Sequence, residues 1–190
     1  PRVLEAALRH KKGGLLTPIV IGDQGEIQKV ADKNGLKLGD LKIINPEYFE
    51  EFDRLVDGFV EARRGKVKKD EAEFILTHDV NYFGVMLVKE GLADGMVSGA
   101  RHTTGETIRP ALQIIRTKPG VKRVSGVMVM VGPEGNQLIF ADTAVNITLE
   151  SDELAEVAVE SARSAEAFGM DPYVACLLYT SPSPRDLSTS

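Results

Sequence analysis

Between residues 93 and 110 the chain reads ADGMVSGARHTTGETIRP, a run of small residues, hydroxyls, one histidine and one arginine. The pattern predicts a short buried strand at residues 95–98, a Gly/Ser/Thr/His loop, and a helix with Arg109 near its start. A strand that gives way to small residues at a helix N-terminus favours an anion. The first backbone N–H groups have no partner inside the helix, and the helix dipole is positive there. The chemistry predicted for this stretch is the holding of a phosphate or acyl phosphate group. Thr103 and Glu106 also form a T-x-x-E capping box, so a well-capped helix is the plainer alternative. The two coexist, because capping occupies the threonine hydroxyl and leaves backbone N–H groups free. Glu106 opposes an anion, so Arg109 or another cation must offset it.

Few other residues carry chemistry by their spacing. His102 is expected to be a loop contact without an acid–base role, His78 to sit beside a helix cap at Asp79, and His10 to lie on an exposed helix face. Arg63 and Arg64 read by default as a solvated helix end, where cations suit the dipole. Asp142, at a strand end, serves either a cleft or a turn. The sequence contains no nucleophile triad, zinc-ligand spacing, phosphate-loop lysine motif or GxGxxG signature. A nucleotidase, a metalloenzyme and a dehydrogenase are thereby disfavoured.

The elements that must position residues 93–110 alternate between helix and strand. Residues 2–12 have apolar side chains at helical spacing and stop at Gly13-Gly14. PIVIG at 18–22 is a short apolar run suited to a buried parallel strand. A weak helix at 26–34, a strand at 41–44 and a long amphipathic helix at 47–64 follow. Helices are predicted again at 70–77 and 80–90, the latter capped by Asp79, and the helix bearing Arg109 should run to about Thr117. Beyond Pro119-Gly120 the pattern changes to strands at 121–131 and 138–143 around a P-E-G-N turn. A helix at 152–168 capped by Ser151, and a strand at 171–175, complete the pattern.

The fold class expected is α/β: a three-layer α/β/α first domain with a mostly parallel sheet, plus the start of a second α/β domain. Its boundaries are 1–119 for the first domain, 120–175 for the opening of the second, and 176–190 for a tail. The strands of the cut second domain should show unpaired edges and exposed apolar faces.

Composition sets outer bounds. The 190 residues are 43% hydrophobic and 27% charged, ordinary globular material, and the net charge of −5 provides no basic face for nucleic acid. No apolar run approaches a membrane span and no signal-peptide pattern opens the chain, so a cytoplasmic protein is expected. Pro1 in place of Met predicts that the natural chain begins upstream.

From Cys176 the text CLLYTSPSPRDLSTS loses all periodicity. A disordered Ser/Pro tail is one explanation. The sharper one is that Cys176–Asp186, reverse-translated, matches a reading frame of a transposase-type sequencing adapter, with 187–190 as index sequence. The natural protein would then stop being visible at about Ala175. The single cysteine would go with the tail.

With SGARHTT and the helix ETIRPALQIIRTKPG in hand, residues 2–175 resemble the phosphate acetyltransferase (phosphotransacetylase) family. PIVIG, YFGVMLVKEGLADGMVSGA, FADTAVN and ELAEVAVESARSAEAFGMDPYVA add to the likeness. The resemblance implies two α/β domains with an active site in the cleft between them. It implies acetyl transfer between coenzyme A and inorganic phosphate, with acetyl phosphate made or consumed. It further implies a homodimer, no metal, and no cofactor other than coenzyme A as substrate. By position, Arg109 matches the arginine of the family's T-[IL]-R-P helix. Arg63, in EARRGKV, matches an arginine of its E-L-R-K-H-K-G segment, from which this chain departs by one missing residue and no histidine. Ser98, His102, Thr103 and Thr104 match the phosphate-contacting loop. The family's Ser-Arg pair and catalytic aspartate lie near the end of the full protein, in a stretch absent from these 190 residues. The implication is a substrate-binding fragment that holds no catalytic residue and is inactive alone. Two alternatives remain open: an acyl-CoA-sensing regulatory domain behind a malic enzyme, and a phosphate butyryltransferase.

Overall fold

A computed structural model describes residues 1–176, and those residues divide into two compact units, Pro1–Arg116 and the part that starts at Thr117. The first unit opens with α1 (Arg2–Lys12), β1 (Ile19–Ile21), α2 (Gln24–Lys33) and β2 (Lys42–Ile44). β1 and β2 pair in parallel, Ile19 opposite Lys42 and Ile21 opposite Ile44. A parallel pair needs a crossover, and α2 supplies it, its N-terminus capped by the Asp23 side chain on the Glu26 N–H.

A single-turn 3-10 helix, Pro46–Tyr48, then leads to α3 (Phe52–Ala62), α4 (Lys69–His78), α5 (Val80–Lys89) and α6 (Thr104–Ile114). The long helix expected at 47–64 is therefore broken. Asn45 caps the 3-10 turn through the Glu47 N–H, and Phe49 leaves it in extended backbone. Its ring then meets Phe83 edge-on, with centroids 5.7 Å apart. The core gathers Leu55, Val56, Phe59, Leu76, Phe83 and Met86, all fully buried. A smaller cluster of Leu4, Ala31 and Leu41 seats α1 and α2.

In the second unit β3 (Val127–Val131) and β4 (Gln137–Ala141) form an antiparallel hairpin, followed by α7 (Ser151–Ala167). Val131 and Leu138 stay largely exposed, so the apolar faces are open as expected, though the two strands do pair with each other. Residues 121–126 are not strand. Glu156 of α7 accepts the Lys122 N–H there, and Glu153 pairs with Arg123. The cap of α7 is Glu150, in a capping box with Glu153, so Ser151 is the first helical residue. Asp142 resolves as a turn residue. Its carboxylate accepts the N–H groups of Gly126 (3.2 Å), Val145 (3.1 Å) and Asn146 (2.8 Å).

The α/β class is borne out, with a smaller sheet than expected. Two predicted strands, 95–98 and 171–175, are irregular backbone in the structure. A strand exists only by pairing, and neither run is paired with a described strand. The tail expected from position 176 lies, after Cys176, outside the described residues. No helix among them is long and apolar enough to cross a membrane.

Candidate anion-binding site

The site starts from α5. Asp79 caps it by accepting the N–H groups of Asn81 (2.9 Å) and Tyr82 (3.3 Å). Phe83, Val85, Met86 and Leu87 bury its apolar face, and this fixes where its first turn points. Gly84 admits the next segment. A Cβ there would lie 2.6 Å from the Met96 sulfur, so the absence of a side chain lets Met96 dock on the helix. Residues 95–98, predicted as buried strand, are thus held on α5 by the Met96 side chain and by the Ser98 hydroxyl on Asn81, while Val97 is 99% exposed.

Beyond that anchor the chain turns at Gly99, whose φ of 101° is costly for any residue with a Cβ. It then enters α6 through the predicted capping box. The Glu106 N–H reaches the Thr103 hydroxyl oxygen at 3.3 Å, and the Thr103 N–H returns to the Glu106 carboxylate at 2.7 Å. The carboxyl of Glu106 is held below the usual range, first by that N–H and then by the Thr103 hydroxyl, with the charges of His102 and Arg109 adding to it. Thr104 and Gly105, the first two residues of the helix, have no acceptor for their N–H groups within it. They are the free donors that the anion reading requires.

The expected site residues fall into two groups. Ser98, His102, Thr103 and Thr104 are exposed around the start of α6. Ser98 gives its hydroxyl proton to Asn81 (2.6 Å), so toward an anion it offers its backbone rather than its hydroxyl. Arg63 lies at the C-cap of α3, half-buried, and its Nε is fully buried without a hydrogen-bond partner. Arg109 is exposed on α6; its charge helps hold the Glu106 carboxyl down and, with that of Arg63, opposes the rise of the Tyr82 phenol. Burial pushes the Tyr82 phenol above its usual range, and the two guanidinium charges pull it part of the way back. The phenol donates to Gln113 of α6 at 2.8 Å.

Sequence reasoning missed the companions of Arg63. Arg63, Arg64, Lys66 and Arg116 surround an open cavity of about 230 Å³ with Gln113 and Leu112. Arg64 and Arg116 take left-handed backbone (φ 54° and 68°), unusual for residues with a Cβ. The turn at Arg116 also ends α6 at Ile114, short of the expected Thr117. Arg116 reaches back to donate to the Ala62 carbonyl at the end of α3, which draws the two helix ends together. The run RRGK was the visible signal for Arg64 and Lys66. Arg116 carried none. Among the described residues no three His, Cys, Asp or Glu side chains gather closely enough to hold a metal ion.

The site's cations, its free helix-start amides and its position beside α5 can be set against known proteins. The sequence model of the family described as phosphate acetyl/butaryl transferase matches residues 1–189. The chain belongs to this family. A phosphate acetyltransferase of Staphylococcus epidermidis is 51% identical over 179 residues, 94% of this chain and 54% of that protein. One from Staphylococcus aureus has the same identity and coverage. The solved EutD phosphotransacetylase from Staphylococcus aureus superposes with a TM-score of 0.84 at 51% identity, over 90% of this chain and 51% of that one. A phosphotransacetylase from Streptococcus pyogenes also gives 0.84, at 50% identity, over 90% of this chain and 52% of its own. The chain thus spans about half the length of the acetyl/butaryl transferase relatives it matches.

Proposed function

We propose that the protein of which this chain forms part transfers acetyl between coenzyme A and inorganic phosphate, and that these residues form its phosphate-binding wall. The observation that carries the proposal is the exposed loop that enters α6 through open Thr104 and Gly105 amides, with Arg109 on the same helix and the Arg63 Nε buried and unsatisfied, in a chain of this family. Guanidinium groups suit a phosphate because their fork matches two of its oxygens at once. Arg109, the Thr104 and Gly105 amides, and the loop of Ser98, His102 and Thr103 hold the phosphoryl end. Arg63 takes a second anionic group of the substrates.

In this role the sulfur of the coenzyme A thiolate attacks the acetyl carbonyl of acetyl phosphate. The C–S bond forms, the C–O bond to phosphate breaks, and the leaving phosphate keeps the electron pair. The cations and amides lower the barrier by stabilising charge on that departing group. Within the chain we assign substrate binding to these residues and catalysis to none. The same reading assigns residues 1–119 to a first domain and 120–175 to the opening of a second, supported by the two compact units. A cytoplasmic homodimer completes the proposal, supported by the family resemblance.

Consumption of acetyl-CoA by the intact protein, driven by phosphate or arsenate, tests it. The expected result is thioester loss that depends on the anion and exceeds that with butyryl-CoA. No anion-dependent loss from a folded intact protein would refute it. A malic-enzyme segment upstream of Pro1 together with inactivity would support a sensor in its place.

A further inference from the structure

We infer that Asn81, through one buried amide, is the residue that positions the 98–109 segment for anion binding; the inference rests on the phosphate-wall reading above. Asn81 is 2% exposed and is the one buried polar side chain among the described residues. A primary amide is costly to bury unless both ends are hydrogen-bonded. Its Oδ1 accepts the Ser98 hydroxyl at 2.6 Å, and its Nδ2 donates to the Glu106 backbone carbonyl at 3.4 Å.

The second bond has a specific cause. In a regular α-helix the Glu106 carbonyl would accept the N–H of the residue at position 110. That residue is Pro110, inside α6 and buried, and proline has no N–H. The carbonyl would be left without its helical donor at a part-buried position. Asn81 supplies the proton that Pro110 cannot. The pairing explains why a polar side chain sits in the apolar face of α5.

The two bonds leave opposite ends of one rigid, planar group. They pin Ser98, before the loop, to the first turn of α6, after it. His102, Thr103 and Thr104 lie between the two fixed points, and Arg109 directly precedes Pro110. Both ends of the loop are then set before any ligand arrives, which lowers the ordering cost of binding. Asn81 is too buried to touch a ligand. It acts through the loop.

The experiment is a cycle of Asn81→Ala and Pro110→Ala in the intact protein, read by amide hydrogen exchange and by KM and kcat for acetyl phosphate. In N81A the exchange of amides 99–105 and the KM are each expected to rise about five- to tenfold, one hydrogen bond expressed as a ratio, with kcat within about twofold. In the P110A background position 110 regains an N–H for the Glu106 carbonyl, so the same substitution is expected to cost less than half as much on a logarithmic scale. A residue that merely stabilised α5 would show no such rescue. If N81A fails to fold, S98A cuts the first bond from an exposed position, and its exchange at 99–105 should rise to a similar degree. Unchanged exchange in folded N81A or S98A overturns the inference, whether or not the protein transfers acetyl groups. A KM rise that P110A does not relieve overturns the assignment of the Glu106 carbonyl. Raised exchange in N81A of a protein without acetyl-transfer activity supports the positioning and refutes only the proposed reaction.

Discussion

Gly84→Ala is the substitution whose outcome the packing defines most sharply. In the interior of a helix, alanine is favoured over glycine by about 0.5–1 kcal/mol, so α5 alone would gain. The new methyl would lie 2.6 Å from the Met96 sulfur and 3.2 Å from the Ile21 Cδ1. Ile21 can yield the few tenths of an ångström required. Met96 must retreat by about 1 Å to reach an ordinary contact, which is more than local relaxation provides. Its flexible thioether has another way out, toward solvent. Displacing a half-buried methionine forfeits about 1–1.5 kcal/mol of burial, so the net change is a destabilisation of about 0–1 kcal/mol. Global stability should therefore barely move, while residues 95–98 lose the Met96 anchor and keep only the Ser98–Asn81 bond. In the intact protein, urea denaturation should give a midpoint close to wild type, with faster amide exchange at 95–104 and a raised KM for acetyl phosphate. Met96→Ala should give the same loop phenotype, and adding G84A to it should change little. A G84A protein that gains the full helix-propensity increment, with unchanged exchange at 95–104, would refute the anchoring role of Met96.

Phe83→Ala empties a fully buried site against the Phe49 ring and should cost about 3–5 kcal/mol in chemical denaturation; a loss below about 1 kcal/mol would contradict the core assignment. Asp142→Asn weakens a carboxylate that gathers several backbone N–H groups and should cost the second unit about 2–3 kcal/mol, seen as faster exchange at 126 and 144–146. Partial burial raises that carboxyl, but donation from Asn146, Val145 and Gly126 outweighs it, and the titration is lowered. The stabilisation is thus present above the unfolded-state value and lost as pH falls through the folded one; D142N should abolish that acid-side dependence. Thr103→Ala removes the α6 cap at about 1 kcal/mol near neutral pH. T103A keeps the backbone N–H that lowers the Glu106 carboxyl most and removes the hydroxyl donor that lowers it next. The gap between wild type and T103A should therefore shrink in part as acid protonates Glu106, and a pH-independent gap would argue against the hydroxyl–carboxylate bond.

Local rules read the capped helices well. Asp79 before α5 and the T-x-x-E box of α6 need only nearby residues, and both appear where the spacing placed them. Boundaries failed where distant contacts decided them. Phe49 breaks a helix to reach Phe83, and the turn at Arg116 ends α6 early. Residues 95–98 carry the composition of a strand, yet a strand is a property of two segments, and this run pairs with none of the described strands. At the site, the loop and Arg109 were legible because small residues and hydroxyls before a helix have a local physical meaning. Asn81 was not legible. Its importance comes from Pro110, far along the chain, whose missing N–H gives a buried amide a carbonyl to serve. The basic cavity was half legible: RRGK stands out in the sequence, whereas Arg116 joins it only because the ends of α3 and α6 meet.

The central claim is that Arg109 faces the phosphoryl group of the substrate. Its most direct test is the steady-state KM for acetyl phosphate of the intact protein, wild type against Arg109→Ala, with circular dichroism confirming that both are folded. Loss of a charge-assisted pair to phosphate predicts a rise of about tenfold or more in KM. An R109A protein with unchanged KM and kcat would remove Arg109 from the site and contradict the account.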